Sequence, residues 1–397
     1  MKAKSKRGNI SVFLAVVITA LFSITLLLVS SIHEKTVESC ADGVFRLAGD
    51  SVLSEYNYYI HRDYGLFLIK GDDPALSKKF RDYSAYSLSQ LFGADFHSCT
   101  VETGRFSIAD PEPVLKQAVD LMKEGGITKN SKSSVNDMVS RTLRHGPTID
   151  SLPSAQLPDK DLTASVNQIA DKLTNPEAII RGGTNKYLFD SYILSRFNSD
   201  TCAIDTSHFY RNEVEYILTG RFSDESNVRH VDLSLEALRT PYNLAHIYAD
   251  PEKRAAVTAL SETITPGVLG TVTQAGISLA WATAESVNDV KLLHKGYLVP
   301  FTKDASSWAI DLDGLVKGIS DEKVFKPDVN KGQSYDDYLR ILLFLKDDNM
   351  KMARALDLIQ INMRKDHDPA FLIQEYATGI AVTAEVNGKK YFYDKTY

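Results

Sequence analysis

Nine histidines are the first candidates for chemistry in this chain, because imidazole titrates near neutral pH and is the commonest metal ligand. They are His33, His61, His97, His145, His208, His230, His246, His294 and His367. None lies in an HExxH motif, and none pairs with a second histidine at ligand spacing, so no metal site is expected. Asp366-His367-Asp368 is the densest acid–imidazole cluster, and its place before Pro369 reads as a solvated helix end. IDLDG at 310–314 has the look of a calcium loop, but its acidic residues do not fall at the required positions. The chain has neither a GxSxG elbow nor a phosphate-binding GxxxxGK[ST] loop. Arg181-Gly182-Gly183-Thr184 reads as a turn before a helix. Glu213 and Glu215 alternate with Val214, Tyr216 and Leu218, the pattern of a strand with both carboxylates on one face. Paired carboxylates can do acid–base work, but on an exposed strand face they simply meet solvent. The expectation is a protein that is not an enzyme, with no catalytic residues, no cofactor and no metal.

Three cysteines, Cys40, Cys99 and Cys202, are too few for a disulfide framework and lack CxxC spacing. The sequence is compatible with a Cys99–Cys202 bridge and with three small buried residues.

Whatever the chain does, its N-terminal segment decides where. Lys2, Lys4, Lys6 and Arg7 precede an uncharged apolar run from Ile10 to Ile32. A helix needs about 20 such residues to cross the hydrocarbon core, and flanking positive charge favours the cytoplasmic side. A cleaved secretory signal would have a shorter apolar region and a small-residue cut site, for which Val29-Ser30-Ser31 is a poor match. The expectation is a single-pass cell-membrane protein, N-terminus cytoplasmic and C-terminal domain extracytoplasmic. Ser11, Ala15, Thr19 and Ser23 recur every fourth residue, a slanting stripe of small side chains of the kind that lets membrane helices pack closely. Equally, Ser and Thr in such a helix can bond to their own backbone.

Helical spacing continues past the membrane through Val37, Cys40 or Ala41, Val44, Leu47 or Ala48, Ser51 or Val52, Tyr56, and Tyr59 or Ile60, with Gly65 as the stop. This predicts one helix from about Ile10 to about Arg62: a transmembrane helix running into a long stalk helix that offers an apolar stripe to a mixed α+β head. The expected boundaries are a basic tail at 1–9, the span at 10–32, stalk and N-terminal α+β portion at 33–126, a linker or mobile excursion at 127–162, and a C-terminal α+β domain at 163–397. The excursion is rich in Ser, Thr, Lys, Asn, Asp and Pro, and PSAQLPDKD is too poor in apolar residues to order itself. VLGTVTQAGISLAWATA is the least polar later stretch and reads as a buried core helix rather than a second span. YDDYLRILLFL and NMKMARALDLIQINMRKD read as a helical hairpin, and the tail as a β-hairpin turning at Asn387-Gly388. The fold class is α+β. A net charge of -6 argues against a nucleic-acid partner.

GNISVFLAVVITALFSITLLLVSSI, SVLSEYNYYIHRDYGLF, NEVEYILTGRFSDESNV, WATAESVNDVKLL and YDDYLRILLFL together resemble a family of uncharacterised membrane-anchored proteins of Gram-positive bacteria. Its members occur beside tight-adherence (Tad) pilus and secretion components. The N-terminal plan is similar to that of pseudopilins and TadE/TadG-like minor pilins, in which a Gly precedes the peptidase cut and a Glu follows five residues on. Here Gly8 would be the processing residue, and Phe13 stands at the fifth position, a departure that fits a membrane-retained accessory subunit better than a polymerised one. The resemblance implies an extracytoplasmic structural or assembly subunit of a Tad-type pilus or secretion-like apparatus. Its partners would be the lipid bilayer and other subunits or itself. The alternative from another class is an anchored envelope hydrolase or ligand-binding receptor, whose mark would be a deep pocket of converging carboxylates or histidines.

Overall fold

A single helix, α1 (Arg7–Leu53), opens the chain and is about 70 Å long at 1.5 Å per residue. In this computed structural model the described residues are 7–91, 94–125, 138–144, 147–169, 176–181, 184–267, 269–316 and 324–397. Two compact units are present: the first comprises 1–57, 67–107 and 375–397, the second 58–66 and 108–374.

In the first unit, the stripe Val37, Ala41, Phe45, Ala48 and Val52 of α1 is buried, at the three-and-four spacing expected of one helical face. It packs into a core shared with α3 (Asp73–Ala85) and an antiparallel sheet of β2 (Phe96–Glu102), β4 (Gly379–Val386) and β5 (Lys389–Thr396), in the order β2-β4-β5. A short pair, β1 (Ile69–Lys70) with β3 (Tyr376–Ala377), completes the unit. Gly49 lets α1 approach this sheet: a Cβ there would stand 2.8 Å from the Tyr393 ring. The β4–β5 hairpin turns where expected, with Asn387 at φ 51° and Gly388 at φ 75°, both positive as a tight two-residue turn requires. The tail, grouped by sequence with 163–397, instead pairs with β2, Val382 lying opposite Val101.

The expected unbroken helix to Arg62 is also corrected. α1 ends at Leu53, and a separate α2 spans Tyr58–Tyr64 before Gly65. At the break the Asn57 N–H donates to the Leu68 carbonyl (2.8 Å), and the Tyr56 ring meets Phe67 edge-on at 4.9 Å. Tertiary bonds thus replace the helical ladder there. Past the apolar run, α1 contributes residues from Val37 to Leu53 to the core of the first unit.

The second unit is helical. Its long elements are α4 (Glu112–Lys123), α8 (Asn185–Arg196), α9 (Glu213–Thr219), α10 (Asp224–Ala249), α11 (Pro251–Ile264), α12 (Gly270–His294), α14 (Tyr335–Leu345) and α15 (Asp348–Asp366). Between them lie α5 (Pro147–Asp150), α6 (Leu162–Ile169), α7 (Pro176–Arg181) and α13 (Leu312–Val316). Every residue of α15 from Met350 to Met363 is buried, including Lys351, Arg354 and Asp357. α15 packs on α9 and α4, while α14 packs on α8, so these two helices do not form the predicted hairpin against each other. The core reading of α12 holds for its second half only: Trp281, Ala282 and Glu285 are buried, but Val272 is 73% exposed. Among the described residues α1 alone is long and apolar enough to cross a membrane. The 127–162 stretch lies partly outside the described residues; where it is described it carries short helical turns, and Ser154 bonds to Asp357 of α15.

Candidate functional site

The first candidate is the surface of α1. From Ser11 to Ser31 it is exposed apart from a half-buried Val17, with Phe13, Phe22 and Leu27 presenting about 65–70% of their surface. Along the Ser11, Ala15, Thr19 and Ser23 stripe, the Thr19 hydroxyl donates to the Ala15 and Val16 carbonyls and the Ser23 hydroxyl to the Thr19 carbonyl, all at 2.9 Å. These hydroxyls are satisfied by their own helix, so the stripe offers close steric approach rather than free donors. Gly8 falls in the first turn of α1, among residues whose side chains lie outside the described set. If the stripe packs against another helix, Ala15→Leu with Ser23→Leu is expected to reduce crosslinking between membrane helices at least severalfold. Unchanged crosslinking would leave the stripe without a role.

The second candidate is the carboxylate pair, and here the strand expectation is overturned. Glu213–Thr219 is a helix, capped by Gly220 in the left-handed conformation at φ 67°. Because α9 is buried on all sides, its apolar positions carry no period that distinguishes helix from strand. Both carboxylates are fully buried rather than solvated. Glu213 accepts from the Asn198 N–H (2.9 Å), the Asn362 amide (2.7 Å) and His208 Nδ1 (2.8 Å). His208 lines a cavity of about 200 Å³ with Asp63, Asp205, Asp366 and His367. Burial disfavours its charged form, but Glu213 and Asp205 outweigh this and raise its pKa.

Glu215 accepts from the Asp200 N–H (3.0 Å) and the Tyr335 hydroxyl (2.9 Å), while its second oxygen is buried without a partner. Burial, together with the nearby Asp200 charge, pushes its pKa up to about 8. Next to it His294 bridges two aspartates, Asp200 through Nδ1 and Asp232 through Nε2, each at 2.7 Å. Burial opposes the imidazolium, but these two bonds carry its pKa up to about 10.

A further buried set joins α10, α12 and Lys303. The Arg239 guanidinium donates to Asp289 (3.1 Å) and the Phe301 carbonyl (2.8 Å), and Lys303 donates to Asp289 (2.5 Å) and Glu285. Two cations thus face two carboxylates at essentially zero exposure. Sequence reasoning passed over these residues, as it did the pairing of His294 with Asp200 and Asp232. The signal was present: Glu285 and Asp289 stand four apart directly after the apolar WATA, so they share the helix face that is buried.

The remaining sequence candidates resolve simply. His367 stacks on Tyr59 at 3.9 Å, and Asp368 accepts the Ala370 N–H (2.9 Å). Asp311 accepts the Gly314 N–H (2.6 Å) and so closes the first turn of α13. Thr184 caps α8, while Gly182 and Gly183 lie outside the described residues, as does His145 and the side chain of His97. Cys99 and Cys202 are buried, and Cys40 is half-buried. Among the described residues no group of three or more His, Cys, Asp or Glu side chains could hold a metal ion.

Neither a curated protein nor a solved structure matches this chain. A family model does, over residues 117–388, more than half of the 397 residues. The match takes in the buried carboxylates, the histidines beside them and the Arg239–Lys303 cluster, and on its extent the chain belongs to the family of unknown function DUF5702.

Proposed function

We propose that the chain is a membrane-anchored structural or assembly subunit of a Tad-type pilus or secretion-like envelope apparatus, with its N-terminus cytoplasmic and both units outside. One observation carries the reading. α1 is continuous from an exposed apolar stretch into the core stripe Val37 to Val52, so the apolar stretch and the core of the first unit share one helix. Support for the setting comes from the resemblance of the anchor and the segments after it to proteins found beside Tad loci. Gly8 is the proposed processing residue if the chain follows the pilin plan, with Ser31 the competing cut; the N-terminal mass of the membrane-purified protein distinguishes them.

On this reading the full chain stays in the membrane pellet after alkaline extraction, and protease added to wall-less cells removes Tyr397. A chain starting at His33 should be soluble and folded, because Val37 is the first buried apolar residue among the described side chains of α1. Co-purification with pilus platform and ATPase components supports the assembly role. An intact chain recovered from cytosol, or a shielded Tyr397, defeats it.

A second reading, an anchored hydrolase or receptor, is favoured by the His208 cavity with its converging carboxylates. At about 200 Å³ that cavity falls below the roughly 300–1,000 Å³ typical of ligand sites. Hydrolytic activity that purifies with the chain and vanishes in His208→Gln would move the assignment there.

A further inference from the structure

We propose that Lys346 and Arg354 form a binding site for a phosphoryl dianion, and that Asp159 is a tethered carboxylate occupying it in the free protein. This goes beyond the assembly role and does not rest on it. Lys346, at the end of α14, and Arg354, in α15, expose only 5% of their side chains. Both reach the same carboxylate: Lys346 donates to one Asp159 oxygen and Arg354 to the other at 2.5 Å. The rest of the Arg354 fork is fixed by the Ile217 and Leu218 carbonyls at 3.0 and 2.9 Å. Behind it Gly220 leaves no room, since a Cβ there would lie 2.3 Å from the guanidinium.

Charge is what singles the place out. Buried cations need matching anions, and here one carboxylate serves two cations. Other anions nearby are committed: Asp347 accepts the Met350 N–H (3.0 Å), and Asp348 pairs with Lys351 (2.8 Å). Asp161, which acts on Lys346 from a distance, accepts the Ala164 N–H (2.9 Å). Asp357, which feels the Arg354 charge, accepts from the Ser154 N–H and the Tyr216 hydroxyl (3.0 and 2.9 Å). Arg354 Nε is buried with no acceptor, and the residue lines the cavity on its side of Asp159. Burial and the Arg354 charge hold the Lys346 pKa below its ordinary value, as expected for an under-neutralised pair. Another carboxylate would replace like with like, whereas a dianion balances both cations.

The surroundings suit an exchange. Cavities of about 540 and 250 Å³ share Asp159 in their walls. Lys160 and Lys186 line the larger, with Leu157, Leu345 and Met350 supplying apolar wall for the organic part of a phosphate monoester. Asp159 sits on the irregular segment 157–161, exposed along its length. LPDKD has little apolar content to hold it down; its ties here are the Asp159 ion pairs and the bond from the Lys346 ammonium to the Lys160 carbonyl (3.1 Å), so an anion that takes over Lys346 would weaken both.

Inorganic phosphate is the probe, added to the full chain in detergent at constant ionic strength with chloride as control. Asp159→Asn should bind phosphate at least tenfold more tightly than the wild type by calorimetry, and Asp159→Asn with Lys346→Met should not bind. In the wild type, phosphate should accelerate tryptic cleavage after Lys160 as the segment is displaced, a measurement that needs no variant. Glycerol phosphate in solution and phosphatidic acid in vesicles then separate a free ester from a lipid headgroup. Equal affinity in wild type and Asp159→Asn together with unchanged cleavage at Lys160 would overturn the site and leave Asp159 a structural clamp only.

Discussion

Lys303→Met is expected to destabilise the second unit by about 3–5 kcal/mol, the cost of stranding a buried charge once its partner is removed. Lys303 lies between Glu285 and Asp289, which stand one turn apart on α12. Glu285 also receives the Ala309 and Ile310 N–H groups at 2.9 and 2.8 Å, and Arg239 covers one side of Asp289. Without the ammonium, two carboxylates remain in a dry site with a single cation. Burial already raises the Glu285 pKa in the intact protein, and removing Lys303 should drive it to take up a proton. The loss is therefore expected to shrink as pH falls, and Lys303→Met combined with Glu285→Gln should recover part of it. Non-additivity of that pair in a double-mutant cycle is the sharper measure.

The molecule supplies its own reporter for this measurement. Its two tryptophans, Trp281 and Trp308, meet edge-on at 5.5 Å, both donate to the Ile310 carbonyl, and the Lys303 ammonium lies 5.5 Å from the Trp308 ring. Fluorescence unfolding in detergent thus reads this cluster directly. A Lys303→Met transition coincident with the wild type would show that the cluster contributes no net stability.

How much of this was legible beforehand depends on whether partners lie near or far along the chain. The buried stripe of α1 and the Asn387-Gly388 turn could be read because one helix face and one turn are written in consecutive residues. α9 could not: Val214, Tyr216 and Leu218 alternate as in a strand, and only Gly220, a helix C-cap, spoke against it. The break after Leu53 was hidden because it is caused by contacts to Phe67 and Leu68, which helical spacing does not register. The ionic clusters were hidden for the same reason. Arg239 and Asp289, Asp190 and Lys351, and Asp159 and Arg354 are each brought together from distant segments. A charged residue at an apolar position of a helix, such as Asp357 in ALDLIQIN, announces that a partner exists without naming it. Glu213 and Glu215 were singled out as a pair with potential chemistry, and the structure separates them into two distinct networks, one with His208 and one with Tyr335.

The Tyr335 network gives the second large effect: Glu215→Gln should change from neutral or slightly destabilising at pH 5 to stabilising by several kcal/mol at pH 9. In the unfolded chain a glutamate loses its proton near pH 4.3, whereas in the fold Glu215 holds it up to about pH 8. Between those values the native state binds the extra proton, so stability falls as pH rises, at about 1.4 kcal/mol per unit, and levels off above pH 8. Glutamine keeps the acceptor for the Asp200 N–H and the Tyr335 hydroxyl but has no proton to lose. Its amide nitrogen meets the same lack of a partner as the second Glu215 oxygen, which is why no gain is expected at low pH. A residual slope should survive in Glu215→Gln, set by other groups of raised pKa, among them Asp190, Asp357, His208 and Glu285, and by His294. Its stabilising charge is fully present below about pH 6.5 and is lost as pH rises through about 10. Parallel wild-type and Glu215→Gln stability curves from pH 5 to 9 would mean that the buried carboxyl is already ionised at neutral pH, and that its unpartnered oxygen is compensated by something other than a proton.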